Sequence, residues 1–211
     1  MMEPTEIAAA VRTVRLDLAD YLDGLDDADW TVPSLCSAWT VRDVVAHLTL
    51  TTRATIPFLL RSAIRARGSF DRMEETIARE RAARYPSAEL VAQLRESAGS
   101  SRRTPGSTPM DPLMDLLIHG QDIARPVGKP HAMPTQLALP SLAYVAGNRF
   151  MGGPERVAGL ELVATDAEWS GGEGPAVRGT AEDLLLAAAG RAAALPHLSG
   201  PGVARLAERL S

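Results

Sequence analysis

The 211 residues, 45% hydrophobic and 23% charged, are enough for one large domain or a medium domain with a small partner, and the balance is that of a folded globular chain. A net charge of −4, with the basic residues scattered, argues against a nucleic-acid partner, which draws on a concentrated basic surface. The single cysteine, Cys36, excludes an intramolecular disulfide. No apolar run approaches the ~20 residues of a membrane helix, and the N-terminus lacks a signal-peptide core, so the expected location is the cytoplasm.

Aromatic residues make up only 4%, which leaves the core to Leu, Val, Ile and Ala and favours a mainly α fold. Ile7, Val11, Val14, Leu18, Leu22 and Leu25 step by threes and fours and predict a helix from about Pro4 to Gly24. Thr40, with Asp43 three residues on, has capping-box spacing and opens a second helix. Its pattern runs past Pro57 towards Ile64, with Pro57 expected to kink or divide it. Met73 to Arg84 reads as a polar helix, and Leu90, Val91 and Leu94 belong to another short one. Asp111 followed by Pro112 marks a helix start, expected to run to about Ala124 and to end before Pro126 and Gly128. A further helix is expected over 135–150.

The texture changes after Gly153. Alternation around Leu160, Leu162 and Ala164 predicts a strand, and Glu168 to Arg178 a second one after a glycine turn. Thr180 is placed to cap a helix, and Leu206 and Leu210 fall on a last one. The division expected is therefore a helical domain over 1–152 and a small α+β extension over 153–211, too small to bury a good core alone and so packed on the first domain.

Four histidines offer chemistry. His131 and His197 lie beside prolines and read as exposed loop residues. Asp115, His119 and Asp122 fall at i, i+4 and i+7, so one helix projects all three in nearly the same direction. Flanked by Leu116, Ile118 and Ile123, such a polar stripe is costly when buried without partners and sensible when it points at a metal. His47, beside Val44 and Leu48 on the second helix, could supply a ligand from a facing element. The plainer readings are a core histidine bonded to a carbonyl, and an i, i+4 ion pair of Asp115 with His119 on a solvated face. Cys36 has no base near it in sequence and reads as a small packed residue, and Trp39 as an anchor of its loop. Arg178 and Arg191 read as surface arginines rather than anion-binding groups.

The run Trp39-Thr40-Val41-Arg42-Asp43-Val44-Val45-Ala46-His47-Leu48, preceded by Ser34-Leu35-Cys36, resembles the first signature of the mycothiol-dependent maleylpyruvate isomerase family. Asp115 to Ala124 resembles the second, an acid-x-x-x-His-x-x-Asp helix. The resemblance implies a DinB-like four-helix bundle and a divalent metal held by His47, Asp115 and His119. Asp115 stands where the family often has Glu, so the helix must come closer to the ion or a water must bridge. Asp122 is then an alternative ligand, or a partner accepting the free ring N–H of a ligand histidine.

Further implied are mycothiol as cofactor and a small electrophile as substrate. The activity would be that of a thiol-dependent isomerase, or of an S-transferase. A coordinated thiol loses its proton, and the thiolate can then attack an electrophilic carbon. Two readings compete: a metal-water hydrolase on the same site, and a non-catalytic DinB-like metal-binding or stress protein. A non-haem iron oxygenase also uses two histidines and a carboxylate, but the helical ligands favour the bundle enzyme. Zinc is the metal expected from these donors, with nickel, manganese and iron open, and a homodimer is the assembly entertained.

Overall fold

The structure is a computed structural model and describes residues 2–211. Its described residues form ten α-helices and one three-stranded sheet. They divide into two compact units, Glu3–His131 and Ala132–Ser211.

The first unit is a helical bundle. Helix α1 (Pro4–Asp23) begins on a reciprocal capping box between Glu3 and Glu6 and buries Ile7, Val11, Val14, Leu18 and Leu22. It packs between α5 (Ser87–Glu96) and α6 (Met110–Val127), and α2 (Val41–Leu48) packs against α4 (Phe70–Arg84), α5 and α6. Arg15 is buried in this core, where its Nη1 donates to the carbonyls of Ser97 at 2.9 Å and Ser100 at 3.4 Å. One charged side chain thus ties α1 to two carbonyls just past the end of α5. Burial pushes its pKa down, and the nearby Asp115 carboxylate counters that.

Thr40 and Asp43 form the expected box at the start of α2. The pattern that runs on towards Ile64 is divided, as expected at Pro57, with α2 stopping at Leu48. A new helix, α3 (Ile56–Arg65), starts after Thr55, whose hydroxyl accepts from the Phe58 N–H. Pro57 therefore lies in a first turn, where its missing N–H costs nothing.

Helix α6 runs past its expected end. Pro126 lies inside the last turn, and the chain leaves the helix at Gly128 with φ of 73°. Having no N–H, Pro126 cannot bond the carbonyl four residues back, that of Asp122. The Leu35 N–H donates to that carbonyl at 3.1 Å instead.

The second unit is α+β. Helix α7 (Thr135–Gly147) buries Ala138, Leu142 and Val145 and packs on α9 (Ala181–Ala188), so it sits with the C-terminal part instead of closing the bundle, and the unit boundary lies at 131/132 rather than 152/153. The short α8 (Gly153–Val157) leads to β1 (Glu161–Ala164). This strand is central, antiparallel to β2 (Ser170–Gly172) and parallel to β3 (Ala176–Gly179), with Leu162 opposite Gly171 and Val177. The single strand expected over 168–178 is thus two. Gly172 and Gly174, both at positive φ, turn the chain between them, and a Cβ on Gly174 would lie 2.3 Å from the Gly159 carbonyl oxygen. Thr180 caps α9 through the Asp183 N–H, and α10 (Val203–Leu210) ends the chain with Leu206 buried. Among the described residues no helix is long and apolar enough to cross a membrane.

Candidate metal centre

Three helices of the bundle converge on one point. Helix α2 presents His47 in its last turn, α6 presents Asp115 and His119 one turn apart, and α4 presents Glu74. His119 Nε2 lies 3.2 Å from Asp115 Oδ1, and His47 Nε2 lies 3.7 Å from Asp115 Oδ2. The two imidazole rings meet edge to face with centroids 5.1 Å apart. All three side chains are mostly buried, at 17%, 19% and 11% exposure for His47, Asp115 and His119.

The far nitrogen of each ring faces a second carboxylate. Asp122 Oδ2 lies 2.8 Å from His119 Nδ1, and Asp122 is fully buried. Glu74 Oε2 lies 3.0 Å from His47 Nδ1, at ion-pair distance though outside hydrogen-bond alignment. A ring whose Nδ1–H faces a carboxylate keeps its lone pair at Nε2. Both Nε2 atoms point at Asp115.

Electrostatics follow from this crowding. Burial pushes the Asp115 carboxyl up, but His119 and His47 outweigh it and hold the group far below the usual carboxylate range. Burial pushes His119 down, while the Asp115 and Asp122 carboxylates pull it well above an ordinary imidazole. For His47 burial is again opposed, by Asp115 and Glu74, and the net direction is upward.

The donor set fits a divalent cation. Ligands at ~2.0–2.2 Å in a tetrahedral shell lie ~3.3–3.6 Å from one another, close to the observed 3.2 and 3.7 Å. Two neutral nitrogens and one carboxylate suit zinc and its neighbours. Asp115, though shorter than Glu, reaches both imidazoles without an intermediary.

The loop 34–39 carries two further side chains into the site. Cys36 Sγ lies 3.1 Å from Asp122 Oδ2 and 3.6 Å from His119 Nδ1. The Trp39 indole tilts over both imidazoles, with centroids 5.1 Å from His47 and 6.2 Å from His119. Sequence reasoning took Cys36 for a packed residue because its polar neighbours sit on α6, 83 and 86 positions along. It overlooked Glu74, one of several acids on a polar helix, where only packing against α2 could single one out.

The remaining candidates lie elsewhere. His131, expected to be exposed, is half-buried, stacked on Tyr21 at 4.8 Å and against Gly120, whose missing Cβ leaves the ring room. His197 and Arg178 are exposed, and Arg191 Nη1 donates to the Ala189 carbonyl.

Comparison with known proteins agrees with this architecture. Residues 11–112 match the mycothiol maleylpyruvate isomerase N-terminal domain family. That segment includes Cys36, Trp39, His47 and Glu74, and stops short of Asp115 and His119. A crystal structure of the mycothiol-dependent maleylpyruvate isomerase superposes with a TM-score of 0.63 at 16% identity, covering 95% of this chain and 93% of that one. A histidine-to-alanine mutant of the mycothiol-dependent maleylpyruvate isomerase gives 0.62 at 15%, with the same coverage. No curated protein matches by sequence.

Proposed function

Residues 11–112 belong to the mycothiol maleylpyruvate isomerase N-terminal domain family, and from that premise we propose that the protein is a divalent-metal, thiol-dependent isomerase or S-transferase acting on a small electrophile. The observation that carries the reading is the pair of carboxylate–histidine contacts, Glu74–His47 and Asp122–His119, that turn both Nε2 atoms towards Asp115. Metal-binding histidines are held in this way, with the outer nitrogen facing a carboxylate that fixes the tautomer and raises ligand basicity.

His47, Asp115 and His119 are the three ligands in this reading, with zinc as the metal. Three protein ligands leave a coordination position for a reactant, as in catalytic rather than structural sites. When bound there, the ion supplies Lewis acidity, which keeps the sulfur of a low-molecular-weight thiol such as mycothiol in its nucleophilic, deprotonated form. Around it the chain's own groups do the positioning. Glu74 and Asp122 hold the imidazoles, and Trp39 walls the site with an apolar surface that excludes water from one side. Such chemistry needs a compartment where free thiols persist, which fits the cytoplasm.

The test joins metal analysis to turnover. Purified protein should hold about one equivalent of zinc, and the loaded protein should isomerise maleylpyruvate, or conjugate a small electrophile, only when mycothiol is supplied. Turnover of ester or amide substrates without any thiol would make the site a hydrolase. Protein that neither carries nor takes up metal would end the metal reading.

A further inference from the structure

We propose that Cys36 is a positioning residue for His119, acting through Asp122; this rests on the metal reading above. Asp122 is buried on α6. Its Oδ2 lies 2.8 Å from His119 Nδ1, the Cys36 thiol donates to the same oxygen at 3.1 Å, and Cys36 Sγ is itself 3.6 Å from His119 Nδ1. A buried carboxylate is stable only when it is hydrogen-bonded, and one that also aims a metal ligand must not rotate. The Cys36 thiol brings a donor from another segment of chain to the oxygen that faces His119.

The backbone supports this assignment independently of the side chains. Pro126 withholds the helical N–H that would bond the Asp122 carbonyl, and the Leu35 N–H takes its place at 3.1 Å. The residue before Cys36 is therefore anchored to the same aspartate that the thiol contacts. The rest of the loop is fastened too. The Ser34 N–H and hydroxyl both donate to the Trp39 carbonyl at 2.9 Å, and the Ser34 hydroxyl accepts from the Cys36 N–H at 3.2 Å. Arg79 of α4 donates to the Ala38 carbonyl at 2.5 Å. Ala38 is held at φ of 67°, an unfavourable conformation for alanine, persisting where surrounding contacts over-determine it. One loop thus reaches both imidazoles: Cys36 acts on His119 through Asp122, and Trp39 packs on His47.

The role assigned to the thiol is that of a hydrogen-bond donor to a carboxylate, neither ligand nor nucleophile. It predicts a particular ranking of variants. Cys36→Ser keeps a donor of similar size, while Cys36→Ala removes it. Zinc affinity is measured by competition with a chromophoric chelator, with cobalt(II) substituted in parallel as a spectroscopic probe. The parent should bind zinc, Cys36→Ala should bind ~10-fold more weakly, and Cys36→Ser should recover most of that loss, because loss of an outer-shell partner costs ~10–100-fold in metal affinity. The cobalt protein should show no sulfur-to-cobalt charge-transfer band in the near ultraviolet. Thermal unfolding of both variants without metal checks that the bundle is intact. Parent-like affinity in a folded Cys36→Ala protein overturns the proposal and leaves the metal site standing. A charge-transfer band lost in Cys36→Ala overturns it by making Cys36 a ligand. A parent that takes up neither ion removes the metal reading, and the positioning role with it.

Discussion

His47 Nε2 and Asp115 Oδ2 stand 3.7 Å apart although they come from helices α2 and α6, far separated along the chain. Neither helix has a reason of its own to bury a polar group there. With His119 they bring three ligand atoms within 4.8 Å of one another, and an imidazole–carboxylate set without an ion would sit in the bundle at a desolvation cost. Replacing His47 or His119 by Ala should therefore lower zinc affinity by at least ~10-fold, the scale on which even outer-shell losses are felt, and leave the helical circular dichroism unchanged. Chelator competition on each variant checks this, and an unaltered affinity in either would remove that histidine from the site.

Glu74 gives a second case. It contacts His47 Nδ1 from α4. Glu74→Gln keeps the shape but removes the charge, so zinc should bind ~10-fold more weakly while the unfolding midpoint of the metal-free protein moves little. Equal weakening of stability and affinity would mean that Glu74 serves packing of α4 on α2 alone.

The pH response follows from the direction of the shifts. In the metal-free protein, burial lowers His119 but neighbouring anions raise it further, so the folded state prefers the imidazolium. That contribution is complete below the unfolded histidine pKa of ~6.5 and is lost as pH rises through the higher folded value. Asp115 is held low, so its contribution is complete above the unfolded carboxylate pKa of ~3.9 and disappears only as pH falls towards its folded value. Protein treated with a chelator should then be more stable at pH 5.5 than at pH 8.5 in thermal melts. Metal binds unprotonated imidazole, so zinc affinity should climb across the same interval. A chelator-treated melting temperature that rises with pH, by an amount unchanged in His119→Gln, would contradict this.

How much of this was visible in the sequence depends on the range of the forces involved. The helices with strong local signals, α1 from its stripe and α2 from the Thr40–Asp43 box, are legible because periodicity and capping act over a few residues. The three-residue polar stripe of α6 is legible for the same reason. The docking of Cys36 onto Asp122 is not, since it depends on a carbonyl left open by Pro126, a proline that local rules place beyond the helix. The choice of Glu74 among neighbouring acids, and of α7 for the second unit, is likewise made by tertiary packing.

Leu18 sits at the centre of the bundle, fully buried on α1 and close to Gly120, beside His119. Truncation to Ala leaves a cavity and should cost ~2–5 kcal/mol, read from urea unfolding. A smaller loss would mean that α1 and α6 close the gap.

In the second unit, Gly153 begins α8 where it passes the end of α7, and an added Cβ would lie 1.8 Å from the Val145 carbonyl oxygen. Backbone must move to admit even alanine. Gly153→Ala should destabilise by ~1–3 kcal/mol or more, with hydrogen exchange rising first over α7 and α8. Unchanged protection there would show that the two helices do not pack so closely.

X-ray absorption at the zinc edge of the loaded protein tests the central claim most directly. The account predicts about two imidazole nitrogens and one or two oxygens at ~2.0–2.2 Å, with one imidazole lost in His47→Ala and one in His119→Ala. A shell with sulfur at ~2.3 Å, or one unchanged by either substitution, would contradict it.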